Sequence, residues 1–167
     1  MRSVDRQIVA PDRCTDSEVA AFCKLVRQGE EVSSQGLEGR VKTARSLVFL
    51  YVARQLAGLA ALKRPLQTYR NGVFKKARVP DLGPTFDLEL GWVFVASEHR
   101  GRGYSTVLSA AALSQRGGEG PFATTRADNI AMQKTLEHLG FRRVGDSWPS
   151  KQNRRARLLL YVASPNR

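Results

Sequence analysis

Between Phe86 and Val95 apolar positions alternate with others, Phe86, Leu88, Leu90, Trp92 and Phe94 on one side and Asp87, Glu89, Gly91, Val93 and Val95 on the other. A period of two predicts a strand with two distinct faces. Past Arg100 the chain runs through Gly101 and Gly103, residues that accept positive φ at no steric cost. From Tyr104 onward, Tyr104, Val107, Leu108, Ala111 and Ala112 fall on one face of a helix. A strand, a glycine turn and a helix therefore follow one another over residues 86–115.

The same reading extends along the chain. Residues 7–9 suggest a short first strand, and Thr15-Asp16-Ser17-Glu18 has the capping-box pattern that opens a helix, with Val19, Phe22, Cys23 and Val26 as its apolar side. Residues 29–45 read as a loop with a short helix between positions 37 and 43. Two apolar runs, 46–53 and 56–62, flank Arg54-Gln55 and predict an antiparallel hairpin. Residues 64–84 hold Pro65, Gly72, Pro80, Gly83 and Pro84 among Arg64, Arg70, Lys75, Lys76 and Arg78, and read as a long loop. Such a loop is either a basic flap facing substrate or a mobile hairpin without contact to it, and Tyr69 and Phe74 either stack on an aromatic or base group or pin the loop to the core.

After Gly117, Gly118 and Gly120, residues 122–126 should form a strand parallel to the central one, because a helix has crossed between them. Asp128 or Asn129 caps the next helix, whose apolar side is Met132, Leu136 and Leu139, and Gly140 ends it. Residues 141–148 and 156–162 form a closing pair of strands around the basic loop 149–155. The expectation is an α/β chain of the α+β type: one domain over residues 1–167, with a mixed, mostly antiparallel sheet of six to seven strands flanked by helices.

Composition narrows this only slightly. The 42% hydrophobic and 25% charged residues of a 167-residue chain suit one domain with a real core. No run of about 18 apolar residues is present, and MRSVDRQIVAPDRC has no apolar signal segment, so the expected location is cytoplasmic. Cys14 and Cys23 lack CxxC spacing and are accompanied by two histidines, which argues against a disulfide framework or a metal site. The formal charge of +12 favours polyanionic partners, nucleic acid or an anionic cofactor. Basic residues run from Arg2 to Arg167 without an RNP, zinc-finger or basic-helix pattern, so no motif supports nucleic acid.

The glycine turn carries the chemistry. A helix N-terminus leaves its first N–H groups unpaired and partly positive, a set of donors suited to phosphate oxygens, and Arg100 and Arg102 add full charge. Walker A requires Lys and then Ser or Thr after its second glycine, and the dinucleotide fingerprint requires Gly or Ala where this chain has Thr106; both fail. Glycine spacing alone leaves a tight turn with solvated arginines equally open.

Arg100-Gly101-Arg102-Gly103-Tyr104-Ser105 resembles the Q/R-x-x-G-x-G/A acetyl-CoA loop of the GCN5-related N-acetyltransferases, with Ser105 departing at the last position. A second match is Asn129 followed by LEHLGF at 136–141, where the family often shows Asn, a helix and Tyr-Glu-Lys-x-Gly-Phe. The two motifs cover about residues 86–145 in the family's order. The resemblance implies an acetyl-CoA-dependent transfer to a primary amine by direct attack, with acetyl-CoA as co-substrate and no metal. It implies cofactor contacts from the main chain of Val93, Phe94 and Val95, from Arg100, Gly101, Arg102, Gly103, Tyr104 and Ser105, and from Asn129, which its context also explains as a helix cap.

An alkyl ammonium has a pKa of about 10.4, so such a transfer needs a base near neutral pH. Glu89, on the expected face of Val93 and Val95, stands eleven residues before Arg100, where related histone acetyltransferases have a catalytic glutamate. It is either that base or a strand residue paired with an arginine; Asp87 is the weaker choice. Relatives that place the glutamate five residues before the asparagine have it where this chain has Thr124. Leu136 occupies the place of a tyrosine that protonates the leaving thiolate in many relatives, which leaves Tyr104 or Ser105 as substitutes. Two rival readings are a toxin-like acetyltransferase of aminoacyl-tRNA and an acyl-CoA- or nucleic-acid-binding module with weak or no catalysis. A homodimer is compatible with either.

Overall fold

The computed structural model describes residues 3–29 and 32–165. Seven strands, β1 (Val4–Val9), β2 (Ser46–Val52), β3 (Gln55–Lys63), β4 (Leu88–Val95), β5 (Pro121–Arg126), β6 (Arg142–Pro149) and β7 (Arg157–Val162), form a sheet of order β1-β2-β3-β4-β5-β7-β6. β4 and β5 run parallel, whereas β1/β2, β2/β3, β5/β7 and β6/β7 are antiparallel. The helices are α1 (Asp16–Val26), α2 (Leu37–Lys42), α3 (Gln67–Lys76), α4 (Tyr104–Leu113) and α5 (Ile130–His138). The mixed, mostly antiparallel sheet with flanking helices is the fold class expected. No described helix is long and apolar enough to cross a membrane.

The chain divides into two compact units, neither continuous in sequence. One takes the residues up to Lys63 together with Leu90–Gln115; the other takes Arg64–Glu89 and the residues from Arg116 on.

In the first unit, the Thr15 hydroxyl accepts from the Glu18 N–H at 3.1 Å and the Glu18 carboxylate accepts from the Thr15 N–H at 2.8 Å, so the capping box starts α1 as its sequence predicts. Val19, Phe22, Cys23 and Val26 then meet Leu37 and Val41 of α2 over Leu47, Phe49, Leu59, Ala61 and Trp92. Phe22 stands edge-on to Phe49 at 5.5 Å and to Trp92 at 6.0 Å. Burying each such side chain contributes about 1.5–3 kcal/mol. The β2–β3 turn is made by Ala53 and Arg54, with φ of +50° and +65°, one residue earlier than the Arg54-Gln55 break suggests. The pairing Leu50↔Gly58 followed by Tyr51↔Leu56 leaves Ala57 as an extra residue in β3.

In the second unit, the long loop expected over residues 64–84 is instead α3 followed by a 3₁₀ stretch, Pro80–Thr85. Only Arg70, Val73 and Phe74 of the helix are buried. So thin an apolar stripe among lysines, arginine and Gly72 does not stand out as helical periodicity. The ring of Phe74 supplies the anchor, stacked on Phe86 at 5.8 Å and edge-on to Phe122 at 5.3 Å. After the helix, the Ala77 carbonyl accepts from the Asp146 N–H at 2.9 Å, and a Cβ on Gly145 would lie 2.0 Å from that oxygen. This contact accounts for the glycine beside the irregularity in β6 between Val144 and Trp148.

Candidate functional site

β4 does not alternate along its full length. Trp92 has φ of +51°, a left-handed conformation unusual for a bulky residue. Lys63 records the consequence: its Nζ sits 4.8 Å from the centre of the Trp92 ring, and its Cδ lies 2.7 Å from where a Cβ on Gly91 would stand. Gly91 and Trp92 thus present the same side, as at a β-bulge, and Phe94 joins Trp92 against the cluster of α1 and α2. The side chains of Val93 and Val95 are therefore out of phase with Glu89, and the shared face expected for the three is corrected. Parallel pairing with β5 is registered ahead of the bulge, at Leu88↔Pro121 and Glu89↔Phe122.

The end of β4 is held tightly in the first unit. A Cβ on Gly58 would meet the Phe94 carbonyl at 2.9 Å and Leu108 Cδ1 of α4 at 3.0 Å. Glycine at 58 lets the two backbones and α4 come this close. The Ala96 N–H donates to the Ala57 carbonyl at 2.8 Å, tying the residue after β4 to the extra residue of β3. The Val95 carbonyl accepts from Arg100 Nε at 3.0 Å, and the guanidinium carbon lies 5.8 Å from the Phe94 ring centre. Arg100 is thus folded back onto its own strand, and one main-chain acceptor expected to serve a cofactor is already bonded.

Between β4 and α4, Gly101 and Gly103 have φ of +74° and +75°, so both use the freedom that the sequence suggested. No heavy atom lies within 4 Å of a Cβ built on either, so glycine is needed there for conformation rather than for room. Gly103 is the N-cap of α4, and its carbonyl accepts from Thr106 and Val107. Among the described residues, no acceptor is bonded to the main-chain N–H of Gly101, Arg102, Gly103 or Tyr104. Gly101, Arg102 and Gly103 are exposed, and Tyr104 and Ser105 are half-buried. The turn therefore offers a helix N-terminus, consecutive donors and the charge of Arg102, a set that fits a phosphate or diphosphate.

In the second unit, Asn129 is the N-cap of α5, its Oδ1 accepting from the Met132 N–H at 3.1 Å. The other end of that helix explains the second motif. Gly140 has φ of +86°, the Phe141 N–H donates to the Leu136 carbonyl at 3.0 Å, and the Gly140 N–H donates to Glu137. LEHLGF is thus a helix end closed in the Schellman manner. Leu136 is fully buried. Arg126 forks onto Asp128 through Nε at 2.9 Å and a terminal nitrogen at 2.5 Å, which holds the Asp128 carboxyl below its usual range.

Glu89 is buried, 3% exposed, on β4 beside α3. The Tyr69 hydroxyl donates to its Oε1 at 3.3 Å. Asp87 is exposed and pairs with the buried guanidinium of Arg70. Of the two carboxylates only Glu89 is withdrawn from water. Sequence reasoning gave Tyr69 a stacking or pinning role; its contact with Glu89 could not be found while residues 64–84 read as a loop. The bulge had one signal, a glycine inside the strand at Gly91.

Residues 85–149, which carry β4, the glycine turn, α4 and α5, match the family model of FR47-like proteins. No curated protein sequence matches the chain. Among solved structures, ElaA of Escherichia coli superposes with a TM-score of 0.72 at 12% identity, over 97% of this chain and all of its own. YncA of Salmonella typhimurium, solved with its cofactor acetyl-CoA, gives 0.69 at 14% identity over 98% and 95% of the two chains. The ribosomal-protein-S18-alanine N-acetyltransferase of Escherichia coli gives 0.66 at 13% identity over 98% and 96%. The chain has the GCN5-related N-acetyltransferase fold. Within that fold Arg100 to Ser105 form the turn into α4, and Asn129 and Leu136 to Phe141 form the two ends of α5.

Proposed function

We propose that the protein is an acetyl-CoA-dependent N-acetyltransferase acting on a primary amine. The observation that carries this reading is the turn before α4, where two left-handed glycines leave the N–H groups of residues 101–104 without acceptors among the described residues. These donors, with Arg100, Arg102 and Ser105, would hold the diphosphate; main-chain groups of Val93 and Phe94, with Val95 once Arg100 releases its carbonyl, would hold the pantetheine arm, and Asn129 would add a contact. When bound, acetyl-CoA supplies the thioester whose acetyl group is transferred. Support also comes from YncA, which binds acetyl-CoA as its cofactor, and from the S18-alanine enzyme, whose name states N-acetylation.

Glu89 is the proposed general base. The amine attacks directly, and its proton passes to the Glu89 carboxylate or to a water bonded to it. Leu136, buried and apolar, supplies no proton to the departing thiolate. A thiol pKa of about 8.5 makes that thiolate a tolerable leaving group, so transfer proceeds slowly rather than not at all.

The test is thiol release from acetyl-CoA with butylamine, spermidine and an alanine-initiated pentapeptide as acceptors, beside calorimetric binding of acetyl-CoA. We expect binding, and release faster with at least one amine than with water. Glu89→Gln should cut kcat at least tenfold and spare acetyl-CoA affinity. Binding without amine-dependent release would replace this reading with an acyl-CoA-binding module, and the absence of binding would remove the cofactor assignment.

A further inference from the structure

We propose that Tyr69, on α3, is a positioning residue for Glu89. The inference rests on the reading of Glu89 as general base and deepens it. Glu89 is buried, and a glutamate side chain has three rotatable bonds; unless something fixes the carboxylate, burial alone does not direct its oxygens. The Tyr69 O–H donates to Oε1 at 3.3 Å. The bond to Tyr69 uses one of the roughly four lone-pair sites of the carboxylate. When Glu89 is protonated it can in turn donate to the Tyr69 oxygen, and the pair stays joined in both states.

Tyr69 can do this because α3 is pinned just beyond it. Arg70, the next residue, is 7% exposed and pairs with Asp87, two residues before Glu89 on the same chain segment. Phe74, one turn further on, is fully buried between Phe86 and Phe122. Tyr69 itself is 46% exposed, although Val73 and Phe74 on the same helix are buried. A tyrosine whose ring is half in water while its hydroxyl reaches a buried carboxylate is suited to act through that hydrogen bond.

The experiment is a double-mutant cycle of Tyr69→Phe and Glu89→Gln, read by kcat, amine KM, acetyl-CoA Kd and urea midpoint, with whichever of the three acceptors supports thiol release. Phenylalanine removes only a hydroxyl from a half-exposed ring, so the variant folds. A hydrogen bond to a charged group, discounted for partial exposure, corresponds to about a five- to tenfold loss of kcat. Kd and KM should not move. In the Glu89→Gln background, Tyr69→Phe should cost no further kcat, and the urea midpoints of the two changes should be non-additive. Wild-type kcat in Tyr69→Phe, beside a slow Glu89→Gln, overturns the role of Tyr69 and leaves Glu89 as base. So does an equal fold-loss in both backgrounds, which would mark a purely structural tyrosine. If Glu89→Gln keeps full kcat, or no acceptor is acetylated, the base itself falls and this inference with it.

Discussion

Replacing Gly103 by valine tests the cofactor turn where it is most specific. Gly103 has φ of +75°, and a Cβ placed there would meet nothing within 4 Å, so the substitution introduces strain without a clash. Holding a residue with a Cβ in the left-handed region costs about 1–2 kcal/mol, and a β-branched one falls at the upper end. The free protein escapes the strain by letting the turn depart from this conformation, which Gly103 maintains only through the start of α4. Binding a diphosphate requires the N–H groups of residues 101–104 to converge again, so the cost returns as lost affinity. At 1.4 kcal/mol per decade, 1–2 kcal/mol weakens acetyl-CoA about five- to thirtyfold, with alanine near the low end and valine near the high end. The assay is titration calorimetry on both variants, with Gly39→Ala as a control. Gly39 is equally unobstructed but lies in α2 at an ordinary φ, so that change should leave Kd unaltered and raise stability by about 0.5–1 kcal/mol. A Gly103→Val protein that binds acetyl-CoA with the wild-type Kd would refute the assignment of the turn.

Gly58→Ala presses a methyl group against the Phe94 carbonyl and Leu108, and should lower stability by about 1–3 kcal/mol in urea unfolding; an unchanged midpoint would mean that β3, β4 and α4 do not meet as described. The thiols bear on whether acetyl transfer passes through cysteine. Burial pushes Cys14 above its usual range, with Glu18 and Asp12 adding to the effect, and burial also raises Cys23. A raised thiol pKa keeps the neutral form dominant at pH 8, so iodoacetamide should modify the folded protein slowly there and faster as pH passes about 9. Mass spectrometry reads this directly: Cys14 reacting at pH 8 as fast as a free thiol would contradict its placement, and an acetylated cysteine would contradict direct attack.

Much of the fold was legible because its signals are local. The capping box of Thr15 and Glu18, the alternation leading to β4, the two glycines before α4 and the Gly140 stop are each properties of a few adjacent residues, and each appears in the structure where the sequence puts it. Residues 64–84 were misread for the opposite reason. The helix there is held by one ring, Phe74, and by the buried guanidinium of Arg70 paired with the exposed Asp87, contacts made to partners outside the helix. Its intrinsic signal is weak, with Gly72 inside and basic residues around it, and tertiary contacts override weak propensity.

The site divides along the same line. The sequence by itself determined the left-handed turn before α4, because left-handed backbone is a demand that glycine alone meets cheaply and the chain meets it twice, at Gly101 and Gly103. It also offered Glu89 as a candidate base through the resemblance to related acetyltransferases, and at position 136 a leucine, whose side chain cannot give a proton. Tertiary structure decided the rest. The left-handed Trp92 put Glu89 out of phase with Val93 and Val95, a result of Lys63 and the α1–α2 core holding Trp92 and Phe94 to one side. The fold buried Glu89, left Asp87 exposed and brought Tyr69 of α3 to the Glu89 carboxylate. Backbone conformation is written locally, whereas the surroundings of a buried charge are assembled from segments that meet only on folding.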